Sequence, residues 1–342
     1  MTKNVFYVKY LPDDVFIDVL KKTPDVSLTK LENDSPSSVA DPVLKAAHAY
    51  QVGASRSEIA PHLHVGSELI ARCPNLLIVS SNGAGYDTVD VEACTKAGIL
   101  VLNQAGGNAQ SVAEHILGMM LSLSKRIVEV DKILRRGALR DRSAYKGVEV
   151  YGKTVGIVGL GHVGRRLAAM CGAALNMKVL TCDPYLDAAE IAARGAQKVD
   201  LPELLAQADF VSICCPLTRE TRGMFGAAQF AAMQPHAIFV TTARGFIHDE
   251  AALAAALHAK KIAGAGLDVW ADEPPPSDHP LMQFDNVVVS PHTAGVTMDA
   301  RRNIATIAAQ QLGRTLVGER PERIVNPEVW QRYRERFAKA FG

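Results

Sequence analysis

The 342-residue chain has no C-x-x-C pair, no excess of either charge sign and no long uninterrupted apolar run. Each absence removes a class of protein. The six cysteines (Cys73, Cys94, Cys171, Cys182, Cys214 and Cys215) lack the spacing of zinc or thioredoxin-like sites, and several lie inside apolar runs. Buried free thiols in a reducing compartment are therefore expected, not disulfides or metal ligands. With 37 basic against 36 acidic residues, the formal charge is +1 and gives no electrostatic basis for a nucleic-acid partner. The opening "MTKNVFYVKYLPDD" reaches its acidic residues before an apolar core can form, and the most apolar stretch, "SVAEHILGMMLSLSKRI", contains Glu114 and His115. Neither a signal peptide nor a membrane span is expected, and the location predicted is cytoplasmic. Internal repeats and low-complexity tracts are also missing.

What is present is an ordinary globular composition, 48% apolar and 21% charged, in a chain longer than one hydrophobic core usually grows. Two domains are the expectation. From Val155 onward, short β-branched runs ("VGIV", "KVLTC", "DFVSICC", "AIFVTTA", "GAGLDVW", "NVVVS") alternate with helical stretches such as "DEAALAAALHAKK". That alternation predicts a parallel sheet covered by helices on both faces. A looser version in the N-terminal third ("NVFYVKY", "LLIVSS", "ILVLN") predicts a second, smaller α/β unit. The long helix-compatible run "AQSVAEHILGMMLSLSKRIVEVDKIL" suits a helix buried between domains or subunits, or an ordinary core helix. Near the C-terminus, "IVNPEVW" is placed to rejoin the first unit, which makes that domain discontinuous: residues 1–105 with 299–342, against 106–298 for the other. The tail "QRYRERFAKAFG" reads as a short amphipathic helix packed on the body.

The strongest local signal is "TVGIVGLGHVGRRLAAMC", in which Gly159-x-Gly161-x-x-Gly164 follows an apolar strand and opens a helix. The three glycines allow a tight turn, the approach of a pyrophosphate to the backbone, and close helix–strand packing. The next strand ends at Asp183, about 20 residues beyond the last glycine, where a carboxylate accepts from ribose hydroxyls and repels a 2′-phosphate. NAD is the cofactor predicted.

Three later strand ends carry reactive side chains: Arg244 in "VTTARG", Asp268 and Glu273 in "GLDVWADEPP", and His292 in "SPHTAG". A histidine in a loop is by itself weak evidence of catalysis. An arginine to hold an anion, a carboxylate to tune an imidazole and an imidazole to move a proton are complementary, however, and ligands of open α/β sheets lie beyond the carboxyl ends of the strands.

These motifs, with "NGAGYDTVD" and "NAQSVAEH" before them, resemble in order and spacing the D-isomer-specific 2-hydroxyacid dehydrogenase family over nearly the whole chain. The resemblance implies two Rossmann-like domains, a doubly wound NAD-binding domain and a smaller flavodoxin-like substrate-binding domain. It implies an NAD-dependent exchange of a small 2-oxo acid and its D-2-hydroxy acid, with Arg244 binding substrate, His292 as acid/base and Glu273 tuning it. Further implied are Asn82, Gly83 and Ala84 as backbone donors to the substrate carboxylate. Cofactor contacts are implied at Val112, Gly159, Gly161, His162, Val163, Gly164, Asp183, Pro216, Thr221, Ala243 and Asp268. A homodimer through the helix around residues 110–127 and the following arm is expected by the same resemblance.

Little sequence follows "VNPEVW", so no appended sensor domain is expected. A phosphate-bearing substrate would call for extra cations, for which Lys9, Arg56 and His62 are the candidates in the smaller domain. Formate dehydrogenases are disfavoured because they carry glutamine where Glu273 stands. The alternative from another class is an NAD(H)-sensing, corepressor-like binding protein, against which stand the three reactive side chains.

Overall fold

A computed structural model describes residues 1–56, 58–138 and 141–342. The chain divides into two compact units, Met1–Asn108 with Val296–Gly342, and Ala109–Gly295. The first opens with β1 (Lys3–Val8), α1 (Val15–Leu20), β2 (Val26–Leu31), α2 (Ser37–Ala46), β3 (Ala49–Val52), α3 (Ser67–Arg72), β4 (Ile78–Ser81), α4 (Val91–Ala97) and β5 (Leu100–Leu102). The second runs through α5 (Ala109–Ser124), α6 (Ile127–Arg135), β6 (Thr154–Val158), α7 (His162–Leu175), β7 (Lys178–Cys182), α8 (Ala188–Ala193), β8 (Gln197–Lys198) and α9 (Leu201–Gln207). It continues with β9 (Phe210–Ile213), α10 (Ala227–Ala232), β10 (Ile238–Thr241), α11 (Glu250–His258), β11 (Gly264–Leu267) and β12 (Val287–Val289). The first unit is completed by α12 (Met298–Thr315) and α13 (Trp330–Phe341).

In the first unit the strands pair in parallel in the order β2-β1-β3-β4-β5, the flavodoxin-like winding. Alternate strand residues feed opposite faces: Val5 packs with Leu20, Leu312 and Tyr333, whereas Phe6 and Val8 pack with Leu44, Tyr50 and Leu69. Phe6 stacks on Tyr50 at a centroid distance of 4.1 Å. The returning chain is fixed by Asn326, whose side chain accepts from Val101 N–H and donates to the Ile99 carbonyl. The basic, aromatic tail forms α13, buries Tyr333 and donates from Arg336 to the carbonyls of Ala97, the last residue of α4, and of Gly98, its C-cap.

In the second unit the parallel order is β12-β11-β10-β9-β6-β7-β8. The chain enters at β6, winds outward through β7 and β8, then crosses back to β9 and proceeds to β12. The winding direction thus reverses between β6 and β9, the switch point where open α/β sheets bind ligands. Val155, Ile157, Ile238 and Val240 fill one face while Val158, Val211 and Phe239 fill the other. Aspartates cap the following helices: Asp187 on α8, Asp200 on α9 and Asp249 on α11.

The single long helix expected from residue 109 onward is two helices. Arg126 adopts φ 55°, and its guanidinium binds both oxygens of Glu129 and the Ala144 carbonyl. Neither glycine nor proline marks the break, so nothing in the periodicity announced it. All six cysteines are free thiols, and burial raises Cys171 to about 12 and Cys215 to about 11. Among the described residues no helix is long and apolar enough to cross a membrane.

Candidate active site

At the switch point, the loop after β6 turns through Gly159 at φ 93°, and a Cβ there would lie 2.9 Å from the Cys215 nitrogen. A Cβ on Gly164 would come within 2.1 Å of the Gly159 carbonyl oxygen, so helix α7 packs on its strand only because that side chain is absent. Gly161 differs: a Cβ there would meet nothing within 4 Å. Its surroundings are open space at the start of α7, where His162, Val163 and Gly164 form the first turn and its N–H groups have no acceptor within the helix. His162 is exposed, with Nδ1 3.0 Å from the Arg165 guanidinium. At the end of β7, Asp183 accepts from Leu160 N–H at 2.9 Å and Tyr185 N–H at 3.0 Å, which locks the carboxylate to the glycine loop. The loop after β9 is folded by Thr221, whose hydroxyl donates to the Pro216 carbonyl and accepts from Thr218 N–H, both at 2.7 Å. Val112 is buried on α5. An open glycine turn, a helix N-terminus and a fixed carboxylate one strand away fit a dinucleotide.

Strands β10, β11 and β12 are neighbours in the sheet, so their carboxyl ends lie side by side. They deliver Arg244, Asp268 with Glu273, and His292. His292 Nδ1 lies 2.8 Å from Glu273 Oε2. The other Glu273 oxygen accepts from Trp270 N–H at 3.1 Å. Arg244 donates to its neighbour's carbonyl, Ala243 O, at 2.7 Å. His292 is held at φ 56°, a left-handed conformation costly for a residue with a Cβ. The restraint comes from Asp268, which is fully buried: its carbonyl accepts from His292 N–H at 2.7 Å and its carboxylate from Thr293 and Ala294 N–H.

The charges are mutually tuned. Burial pushes the Glu273 carboxyl up, but the His292 hydrogen bond and charge, the Trp270 N–H and the Arg244 charge together hold it below its ordinary value. The hydrogen bond to Glu273 raises His292 above its ordinary value, helped by the charges of Glu273 and Asp268 and opposed by burial and Arg244. The His292 Nδ1 is committed to Glu273, which biases the imidazole toward its protonated form and leaves Nε2 on the side away from that partner.

In the other unit, Asn82 spends its side-chain oxygen on the buried Gln51 amide at 2.7 Å. The loop is packed from below, since a Cβ on Gly83 would lie 3.0 Å from that of Ala54. Gly83 and Ala84 give their carbonyls to Gln104 N–H and the Asn103 side chain. Among the described residues, neither the Gly83 nor the Ala84 N–H meets a protein acceptor. Of the candidate extra cations, Arg56 donates to the Asp87 carbonyl, Lys9 is exposed at φ 65°, and His62 lines a separate cavity of about 300 Å³ with Arg72.

Several supporting residues were not singled out in the sequence. Gly245 lets the Arg244 loop cross the Trp270 carbonyl, where a Cβ would sit 2.0 Å away. Trp270 also donates from its indole to the Ser290 carbonyl at 3.1 Å, and Glu250 accepts from Ala271 N–H at 2.8 Å. In the first unit, the Arg301 guanidinium lies 5.6 Å from the Tyr10 ring centre. Only contacts between distant segments reveal these roles.

Fold and site together define an NAD-binding α/β protein with a His–Glu pair and an arginine beside its nucleotide-binding switch point. Residues 117–294 match the model of the D-isomer specific 2-hydroxyacid dehydrogenase NAD binding domain. The chain is 41% identical over 248 residues to D-3-phosphoglycerate dehydrogenase of Archaeoglobus fulgidus, covering 72% of this chain and 47% of that protein. It is 34% identical over 331 residues to glyoxylate/hydroxypyruvate reductase B of Citrobacter koseri, covering 96% and 99% of the two. A solved D-lactate dehydrogenase from Aquifex aeolicus, complexed with NAD and lactic acid, superposes with a TM-score of 0.78 at 28% identity, covering 92% of this chain and 96% of that one. The chain belongs to the D-isomer specific 2-hydroxyacid dehydrogenase family. It spans about half the length of the phosphoglycerate dehydrogenases it matches.

Proposed function

We propose that the protein is an NAD-dependent oxidoreductase that interconverts a D-2-hydroxy acid and its 2-oxo acid. The observation that carries this reading is the 2.8 Å His292–Glu273 pair, with the Arg244 charge acting on both partners. The cofactor, when bound, supplies or accepts the hydride. Gly159, Gly161 and Gly164 with the first turn of α7 hold its pyrophosphate, and Asp183 holds the adenosine ribose. Val112, Pro216, Thr221, Ala243 and Asp268 complete its surroundings.

Arg244 engages the carboxylate and carbonyl oxygen of the 2-oxo acid and draws electron density from the carbon that receives hydride. His292 gives the proton on Nε2 to the same oxygen, and the remaining charge on Glu273 stabilises the imidazolium before transfer. In oxidation, neutral His292 takes the hydroxyl proton. By the family resemblance Gly83 and Ala84 are proposed as substrate contacts, and among the described residues their N–H groups meet no protein acceptor. Relatives named for phosphoglycerate, glyoxylate and hydroxypyruvate define the candidate substrates. We further propose a homodimer in a cytoplasmic setting, on the family resemblance.

The test is NADH oxidation at 340 nm against hydroxypyruvate, glyoxylate, pyruvate, phenylpyruvate and 3-phosphohydroxypyruvate, with His292→Ala alongside. Turnover of one acid, falling by roughly 10²–10⁴-fold in the variant, is expected. Tight NADH binding without turnover of any acid would support the cofactor-sensing alternative instead.

A further inference from the structure

Helix α5 meets the His292 loop at two points. Ser111 Oγ donates to the Ala294 carbonyl at 2.6 Å, and His115 Nε2 lies 2.9 Å from Ser290 Oγ. Ser111 and His115 are four apart on one helical face, and the loop residues they touch, Ala294 and Ser290, are also four apart in sequence. Ser290 Oγ in turn donates to Asp268 Oδ1 at 2.6 Å. Both Asp268 oxygens already accept backbone N–H groups, from Thr293 and Ala294, so the carboxylate is the acceptor in that contact. The single hydroxyl proton of Ser290 is therefore committed to Asp268, and its oxygen must accept from His115. The chain of donors runs one way: His115 Nε2–H to Ser290, Ser290 O–H to Asp268, with the Asp268 carbonyl receiving His292 N–H at 2.7 Å.

We propose that His115 is a positioning residue for His292, acting through Ser290 and Asp268 to hold the reactive imidazole in its left-handed backbone conformation against Glu273. This rests on the dehydrogenase reading above. Of the charged groups around His292, His115 reaches Asp268, at 3.9 Å. Its side chain is 29% exposed, so replacing it opens no core cavity. The "SVAEH" motif is thus a two-point grip on the acid/base loop.

The first measurement is the tautomer: nitrogen NMR of the cofactor-free protein should show His115 protonated at Nε2. The second compares His115→Phe, which keeps a ring but removes the donor, with His115→Gln, which restores an N–H donor. His115→Phe should lower kcat by roughly ten- to a hundred-fold, with a smaller change in KM, as expected for a misplaced reacting group. It should also shift the His292 titration seen by NMR without cofactor, and His115→Gln should recover most of both. Ser290→Ala, which breaks the same route from the loop side, should reproduce the Phe variant and serves if that variant does not fold. A wild-type kcat and unchanged His292 titration in His115→Phe, or a Gln variant as poor as Phe, would overturn the proposal. If wild-type protein reduces no 2-oxo acid, the dehydrogenase reading fails, while the His292 titration still decides whether His115 couples to it.

Discussion

His292 and Glu273 illustrate how two ordinary side chains shift one another's titration in opposite directions. The sign of each shift sets its consequence for pH. Glu273, held below its ordinary 4.5, contributes stability that is present above that value and lost as pH falls through its folded pKa. His292, raised above 6.5, contributes stability that is complete below that value and lost as pH rises through its folded pKa. The pair is therefore strongest between the two ordinary values. If, as proposed, His292 gives its proton to the 2-oxo acid, kcat/KM for that acid should hold to a pH above 6.5 before declining. In Glu273→Gln the carboxylate charge is gone and any remaining hydrogen bond to the amide oxygen is no longer charge-assisted, while burial and Arg244 still oppose protonation, so the alkaline limb should move to lower pH. A limb that stays in place in the variant's pH–rate profile would show that another group sets it. The positions of Arg244, Glu273 and His292 at or just beyond the ends of apolar runs could be picked out in the sequence; the left-handed φ of His292 and the neighbours that enforce it could not, since a histidine between proline and threonine gives no sign of it.

Among the elements, the β6–loop–α7 segment is the most fully specified by its own sequence, because its constraints are close at hand: Gly164 answers to the Gly159 carbonyl in the same turn and Gly159 to the Cys215 backbone just past the adjacent strand. Asp183 belongs to this unit in a second sense, since Leu160 N–H binds its carboxylate. That anchoring directs a test of cofactor choice. Asp183→Asn keeps an acceptor oxygen for the loop but removes the negative charge that repels a 2′-phosphate, so the kcat/KM ratio of NADPH to NADH should rise by about ten-fold or more. An unchanged ratio, with both cofactors measured against the same acid, would mean that Asp183 does not face the ribose. Where constraints are not local, the sequence said less. The break at Arg126 depends on Glu129 and the Ala144 carbonyl, and the Gly245 crossing depends on Trp270; periodicity carries no trace of either.

For the whole molecule, two parallel sheets were legible because strands buried on both faces appear as unbroken β-branched runs and their crossovers as helical intervals. Strand order was not in the pattern itself; it comes from which apolar faces bury against which helices. The second unit holds the glycine loop on a core of its own, and this makes a stability measurement informative. A ligand that binds only the folded state at a hundred times its Kd adds about 2.7 kcal/mol. NADH at that excess should therefore raise the calorimetric transition of the unit formed by Ala109–Gly295 by an amount equivalent to this. Gly161→Ala is the control that separates cofactor from fold. Its Cβ enters open space, so the variant should melt close to wild type without NADH, yet with the pyrophosphate lying over this turn, as proposed, the methyl group would obstruct it and should abolish the NADH-induced rise. Gly164→Ala should instead lower stability before any cofactor is added, since its Cβ collides with the Gly159 carbonyl. If NADH stabilises Gly161→Ala as much as wild type, the dinucleotide does not bind over this turn, and the assignment of the glycine loop fails with it.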